Sequence, residues 1–168
     1  LMSVFSFNGN KIITTGGVSV GEEDHIKAAI QALGELQLWS LSMKPGKPFA
    51  YGNIQGTHIT GLPGNPVSSF MTFLLLVRPF ILALQGASRV AVDAVAMRAD
   101  FDWPRPDRRR EFLRARRNVA GGLDLFANQS SGVLNSAVWG DGVVDTPAAQ
   151  PIKKGDTVQF IPFASLIG

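Results

Sequence analysis

The sequence predicts an α/β fold, in which a three-layer αβα domain is followed by a small, barrel-like all-β domain. In the first half of the chain, short runs rich in β-branched residues alternate with two helical patterns, which favours helices packed on a mainly parallel sheet. After Ala87 the pattern changes to short alternating runs, which are typical of all-β domains. We therefore predict two domains, at residues 1–87 and 88–168.

The first unit of the α/β domain is a strand, a glycine-rich loop and a helix. Residues 11–15 form a short β-branched run that a glycine pair stops. From about residue 23 to residue 33, apolar side chains recur three and four positions apart, which predicts an amphipathic helix. Gly34 is suited to end this helix.

Three further strands and a long helix complete the first domain. Residues 36–43, 49–54 and 57–62 are predicted strands, and the last two surround a Gln-Gly turn. A mostly apolar helix is predicted from Pro66 to Leu84, with Asn65 as its N-cap residue and a proline in its first turn. In the second domain, the predicted strands are residues 90–97, 111–117, 123–126 and 157–161.

Composition excludes several classes of protein. The chain has no cysteine, so disulfides and thiolate metal sites are excluded, and a reducing cytoplasmic location is expected. The most apolar stretch, residues 70–84, contains Arg78 and Pro79 and is shorter than the roughly 20 apolar residues of a membrane span. We therefore expect no membrane partner.

The loop of residues 16–24 has the properties of an anion-binding loop between a strand and a helix. Glycines allow close approach of the backbone, and free amides at a helix N-terminus attract phosphate. The alternative is a plain glycine turn in which three acidic residues stabilise the helix N-terminus. Those acids would repel an anion unless a cation intervenes, and an oxygen-ligated magnesium ion would resolve the conflict.

Two further loops carry groups suited to anions. Lys44 and Lys47 lie in a turn that two prolines make rigid, although solvated lysines in turns are common. Residues 63–69 form a second helix N-terminus with free amides and two hydroxyls, and simple helix capping is the alternative. Ligands of open α/β sheets bind outside the carboxyl ends of strands, so we expect these loops at one edge of the sheet.

Much of the positive charge is concentrated between Arg105 and Arg117, which include seven arginines. This cluster is compatible with a solvated basic face, with anion capture or with a nucleic-acid surface. Few aromatic residues are interleaved with the arginines, and no base-stacking motif is present, so we expect no nucleic-acid partner.

Three sequence blocks together resemble the signature of molybdenum insertases, the molybdopterin molybdenumtransferases, whose relatives include the gephyrin E domain. The blocks are TGGVSVGEED at residues 15–24, KPGKP at residues 44–48 and GLPGNPVS at residues 61–68. Their order and spacing agree with that family as well. The resemblance is weaker after Ala87.

The resemblance implies a transferase of molybdenum cofactor biosynthesis that inserts molybdate into adenylylated molybdopterin and releases AMP, with Mg²⁺ as cofactor. It assigns catalytic roles to Asp24, Lys44 and Lys47, and Asp24 would also bind the metal. The residues that it assigns to binding adenylylated molybdopterin are Gly16, Gly17, Ser19, Gly21, Pro63, Gly64, Asn65, Pro66, Ser68, Arg109 and Ser131.

The resemblance also sets expectations about organisation. Family members carry two further domains and the first half of the α/β domain before the glycine loop, so we expect a truncated fragment with an incomplete αβα molybdopterin-binding domain. It implies a homodimer for the full-length protein and a possible molybdopterin adenylyltransferase partner. The alternatives are a non-catalytic scaffold and an anion- or nucleic-acid-binding module.

Overall fold

The computed structural model describes residues 3–7, 10–18 and 25–167, and for residues 3–7 it describes the backbone only. It contains two β-sheets and two principal helices. The predicted α/β class followed by a strand-rich second half is confirmed.

The first sheet has five strands. In chain order they are β1 (Ser3–Phe7), β2 (Lys11–Thr15), β3 (Glu35–Trp39), β5 (Ala50–Ile54) and β6 (Thr57–Leu62), and the spatial order is β1-β2-β6-β5-β3. Only the β2–β6 pair is parallel, so the expectation of a mainly parallel sheet is wrong. The two-residue turn between β5 and β6 accounts for one of the three antiparallel pairs, because a connection that short joins antiparallel strands.

The strand predicted over residues 36–43 is two strands. It is interrupted by Ser40, whose φ of 68° lies in the left-handed region. After this break, β4 (Met43–Lys44) leaves the first sheet and pairs with a strand of the second. This departure carries the lysine-containing turn across to the second sheet.

The helices follow the apolar patterns. The first, α1 (His25–Leu33), buries Ile30 against the first sheet. The second, α2 (Pro66–Leu84), is continuous because a π-helical segment at Phe73–Val77 lies before Pro79. A π segment frees backbone groups locally, so a proline there does not break the helix.

Helix α2 is long and apolar enough to cross a membrane by length and composition, with a mean hydropathy of 2.0. Core helices of soluble proteins meet the same criterion. One face of α2 is buried in the protein through Val67, Met71, Leu74 and Val77. The absence of a membrane partner stays a prediction.

The second sheet has six strands. They are β4, β7 (Val95–Arg98), β8 (Arg110–Arg117), β9 (Leu123–Leu125), β10 (Gly142–Thr146) and β11 (Thr157–Pro162). The order is β4-β8-β10-β11-β7, and β9 pairs with β8. Strand β10 and the short helices Asn135–Trp139 and Phe163–Ile167 were not predicted, and closure into a barrel stays a prediction.

One hydrophobic core spans both parts of the chain. It combines Met43 and the buried face of α2 with residues of the second sheet and the last helix. Its buried members are Met43, Val67, Met71, Leu74, Phe112, Val143, Ile161, Phe163 and Leu166. The two halves therefore pack through a shared core, and the division at residues 87 and 88 stays a prediction.

Met71 tests the importance of this shared core, because its side chain is fully buried on α2. We expect Met71→Ala to lower the free energy of unfolding by about 3 kcal/mol through lost apolar contacts and a cavity. Leu84→Ala on the same helix, where the side chain is about half exposed, should cost less than roughly 1 kcal/mol. Urea denaturation followed by circular dichroism measures both, and equal losses would contradict this account of the core.

Candidate functional site

The structure brings the described residues of the three predicted loops to one edge of the first sheet. The parallel strands β2 and β6 end there with the glycine pair and with Pro63, and the antiparallel strand β5 begins there after the lysine turn. The amide of Gly16 donates to the Leu62 carbonyl at 3.0 Å, and a Cβ placed on Gly64 would lie 3.8 Å from Gly16 Cα. The first and third loops are therefore in direct contact.

A pocket of about 310 Å³ lies where this edge meets the second sheet. Six of the residues assigned from the sequence line it together: Lys44, Lys47, Asn65, Ser68, Arg109 and Ser131. The other lining residues are Pro45, Gly46, Pro48, Gln129 and Ser130. A second, more polar pocket of about 500 Å³ shares Lys47 and Arg109 with it, so the two pockets adjoin each other.

Hydrogen bonds beside the pocket join the start of α2 to the second half of the chain. The side-chain amide of Asn65 donates to Ser131 Oγ at 3.1 Å, and the backbone amide of Val67 donates to the Ser131 carbonyl at 3.2 Å. Asn65 occupies the predicted N-cap position, but its side chain makes no capping hydrogen bond. It instead joins the two halves of the chain.

Lys44 forms ion pairs with two carboxylates of the second half of the chain. Its Nζ lies 3.4 Å from Asp107 Oδ2 and 3.2 Å from Glu111 Oε1. Glu111 is almost fully buried, and its Oε2 also accepts hydrogen bonds from Trp103 Nε1 and from the Asp107 amide, both at 2.8 Å. The Lys44 ammonium therefore neutralises a buried carboxylate, and its assignment to the catalytic site stays a prediction.

Arg109 is held by the neighbouring carboxylate of Asp107. Its Nε and Nη2 donate to the two oxygens of that carboxylate at 2.9 and 2.8 Å. These hydrogen bonds hold the pKa of Asp107 well below its ordinary value and raise the pKa of Arg109. The bidentate geometry leaves Nη1 of Arg109 without a partner among the described residues.

Lys47 differs from the other two cations. Its side chain is exposed, and within the described part of the chain it has no carboxylate partner. Lysine presents a compact charge to phosphate and other oxyanions. Lys47 is therefore the cation of this pocket that is most available to a ligand.

The seven arginines do not form one solvated face. Arg114 is buried, Arg110 pairs with Asp145, and Arg116 lies over the Trp139 ring at 4.4 Å from its centroid. Because these side chains have different partners and exposures, the structure offers no continuous basic stripe along the described part of this segment.

Some assigned residues lie outside this pocket. Gly16 and Gly17 have φ angles of 81° and 75°, which glycine adopts without strain, and they lie beside the loop of Pro63, Gly64 and Pro66. Ser19, Gly21 and Asp24 fall outside the described residues. Among the residues that are described, no group of three His, Cys, Asp or Glu side chains could hold a metal ion.

Sequence reasoning did not find the carboxylates of the site. Asp107 and Glu111 lie inside the arginine-rich segment, and these two acids in a basic run were the available signal. Gln129 and Ser130 were missed as lining residues, although they directly precede Ser131 in the sequence.

Comparison with known proteins identifies the relatives of both halves. Residues 5–83 match the family described as "Probable molybdopterin binding domain", and residues 96–163 match "MoeA C-terminal region (domain IV)". The chain is 52% identical over 75 residues to the molybdopterin molybdenumtransferase of Haemophilus influenzae, a match that covers 45% of this chain and 19% of the relative. It is 36% identical over 146 residues to the molybdenum cofactor synthesis protein cinnamon of Drosophila melanogaster, covering 82% and 24%.

A solved structure shows the same fold. The molybdopterin biosynthesis MoeA protein from Pyrococcus horikosii has a TM-score of 0.72 and 28% identity, with 90% of this chain and 36% of that chain covered. The chain thus spans between about a fifth and a little over a third of the length of these relatives.

The ion pairs predict different roles for the two lysines in stability. We expect Lys44→Met to lower the free energy of unfolding by about 2 kcal/mol, because it leaves the buried Glu111 carboxylate without its cation. Lys47→Met is the matched control and should change stability by less than about 0.5 kcal/mol. Urea denaturation at pH 7 distinguishes them, and a Lys44→Met protein as stable as the control would show that the ion pair is not structural.

The lowered pKa of Asp107 predicts how its contribution depends on pH. A carboxyl group whose pKa is lower in the folded than in the unfolded protein stabilises the fold at pH values above its unfolded pKa, which is about 3.9. This stabilisation is lost as the pH falls toward the pKa of the folded protein. Asp107→Asn should therefore be less stable than the unsubstituted protein at pH 7, with a smaller difference at pH 3. Urea denaturation at both pH values measures the difference in the free energy of unfolding between the two proteins. A difference that is larger at pH 3 than at pH 7 would contradict the expected pH dependence.

Proposed function

Since the chain belongs to the molybdopterin molybdenumtransferase family, we propose that its cleft between the two sheets binds the anionic groups of adenylylated molybdopterin and molybdate. The observation that supports this most strongly is the pocket in which Lys44, Lys47, Arg109 and Ser131 converge. These residues come from separate parts of the chain, and several donors arranged around one cavity suit an oxyanion.

Each group has a specific part in this proposal. Lys47 supplies the available positive charge, and the partnerless Nη1 of Arg109 donates to an anion oxygen while Asp107 fixes the rest of the guanidinium. The N-terminus of α2 adds backbone amides and the positive end of its dipole. Because the carboxylates hold two of the cations in place before a ligand arrives, little reorganisation accompanies binding.

The proposed reaction is insertion of molybdate at the dithiolene sulfurs of adenylylated molybdopterin, with hydrolysis of the adenylate and release of AMP. Mg²⁺ is the proposed metal, at Asp24, and when bound it would offset phosphate charge. Asp24 lies outside the described residues, so the roles given above to the lysines, Arg109 and Ser131 do not depend on the ion. The active assembly that we propose is a cytoplasmic homodimer of the full-length protein, supplied with its substrate by a molybdopterin adenylyltransferase.

Binding of AMP and molybdate tests the proposal directly. In isothermal titration calorimetry, Lys47→Ala should weaken AMP binding by about tenfold, because the available cation is lost. A higher salt concentration should reduce the difference in AMP affinity between this variant and the unsubstituted protein. Lys153→Ala, an exposed lysine of the second domain far from the pocket in sequence, is the control and should bind as before.

The reaction has its own measurement. Incubation of the full-length homodimer with adenylylated molybdopterin and molybdate should release AMP, and Lys47→Ala in that protein should slow the release. A protein that binds neither AMP nor molybdate, or a Lys47→Ala variant with unchanged affinity, would overturn the assignment of this cleft.

A further inference from the structure

Arg114 lies behind the pocket, and no role described so far uses it. It is on β8, its side chain is almost fully buried, and it has no ion-pair partner within 4.0 Å among the described residues. A buried guanidinium is costly unless its donors are satisfied, so its hydrogen-bond partners indicate what it does.

Two of its three hydrogen bonds reach residues on either side of Ser131, and the third goes to its own strand. Arg114 Nη2 donates to the Ser130 carbonyl at 3.4 Å, Nε donates to Ser136 Oγ at 3.1 Å, and Nη1 donates to the Phe112 carbonyl at 3.2 Å. The segment before and after Ser131 is therefore held from one guanidinium.

Backbone groups of Arg114 hold the same segment through Gln129. The Arg114 amide donates to Gln129 Oε1 at 2.9 Å, and Gln129 Nε2 donates back to the Arg114 carbonyl at 3.0 Å. Burial lowers the pKa of Arg114 to about 10, with the charge of Glu111 opposing this shift, so the guanidinium stays protonated at neutral pH. Its Nη2 therefore keeps the hydrogen bond to the Ser130 carbonyl at neutral pH.

We infer that Arg114 is a positioning residue of the anion pocket, which fixes the loop of residues 129–131 so that Ser131 meets Asn65 and the N-terminus of α2. This inference rests on the proposed function. The link is direct, because Ser131 receives the hydrogen bonds of the Asn65 side chain and the Val67 amide. Arg114 itself does not line the pocket, so it acts through Ser131.

A double-mutant cycle on AMP binding tests this role. Ser131→Ala should weaken AMP binding about fivefold in the unsubstituted protein, the effect of one lost hydrogen bond. In the Arg114→Met background the same change should weaken binding less than about twofold, because Ser131 is no longer positioned. Lys47→Ala, whose position does not depend on this loop, should weaken binding by the same factor in both backgrounds.

A purely structural role for Arg114 would not produce this selective coupling. All titrations are made where circular dichroism shows each variant folded. If Arg114→Met does not fold, Ser136→Ala removes the acceptor of Arg114 Nε and should show the same coupling in weaker form. Full additivity with Ser131→Ala, or unchanged AMP affinity in the Arg114 variant, would overturn the inference.

The outcomes separate this inference from the function on which it rests. If the unsubstituted protein binds AMP and Lys47→Ala weakens that binding, but the cycle with Ser131 is additive, only the role of Arg114 is wrong. If the unsubstituted protein binds no AMP, the proposed function fails and the inference fails with it.

Discussion

The buried carboxylate of Glu111 is the constraint on which the arrangement of the cleft depends. A carboxylate removed from water is stable only when it is paired and hydrogen-bonded. Glu111 meets this condition with the Trp103 indole, the Asp107 amide and the ammonium of Lys44. Lys44 and Glu111 are also register partners of the parallel β4–β8 pair, so backbone pairing and charge pairing hold the lysine turn on the second sheet at the same point.

This constraint divides the positive charges of the cleft into two kinds. Lys44 and Arg109 are neutralised in part by Asp107 and Glu111, so they contribute fixed geometry more than net charge. Lys47, outside that network, contributes charge with little fixed geometry. A site that needs both an oriented set of donors and attraction for an anion can obtain them from different residues, and the separate effects expected of the two lysines follow from this division.

The sequence predicted those features that depend on neighbouring residues. Strands β2 and β6 follow from β-branched runs and glycine punctuation, and α2 follows from its proline and apolar pattern. The parallel character of the first sheet was wrong because turn length, not strand composition, sets direction. The carboxylate partners of Lys44 were missed because they lie far along the chain. Their pairing with Lys44 depends on the crossing of β4 to the second sheet after Ser40, and no local sequence pattern indicates that crossing.

The resemblance identified the pocket residues Arg109 and Ser131 but not what orients them, and the fold explains why. Both are positioned from the second half of the chain, Arg109 by Asp107 and Ser131 by the network around Arg114, while Asn65 reaches Ser131 from the first half. Helix α2 provides the N-terminus beside the pocket and, through Met71, part of the core shared by both halves. A ligand held at that N-terminus and by Arg109 binds only the packed arrangement, so its binding free energy also stabilises the contact between the two halves.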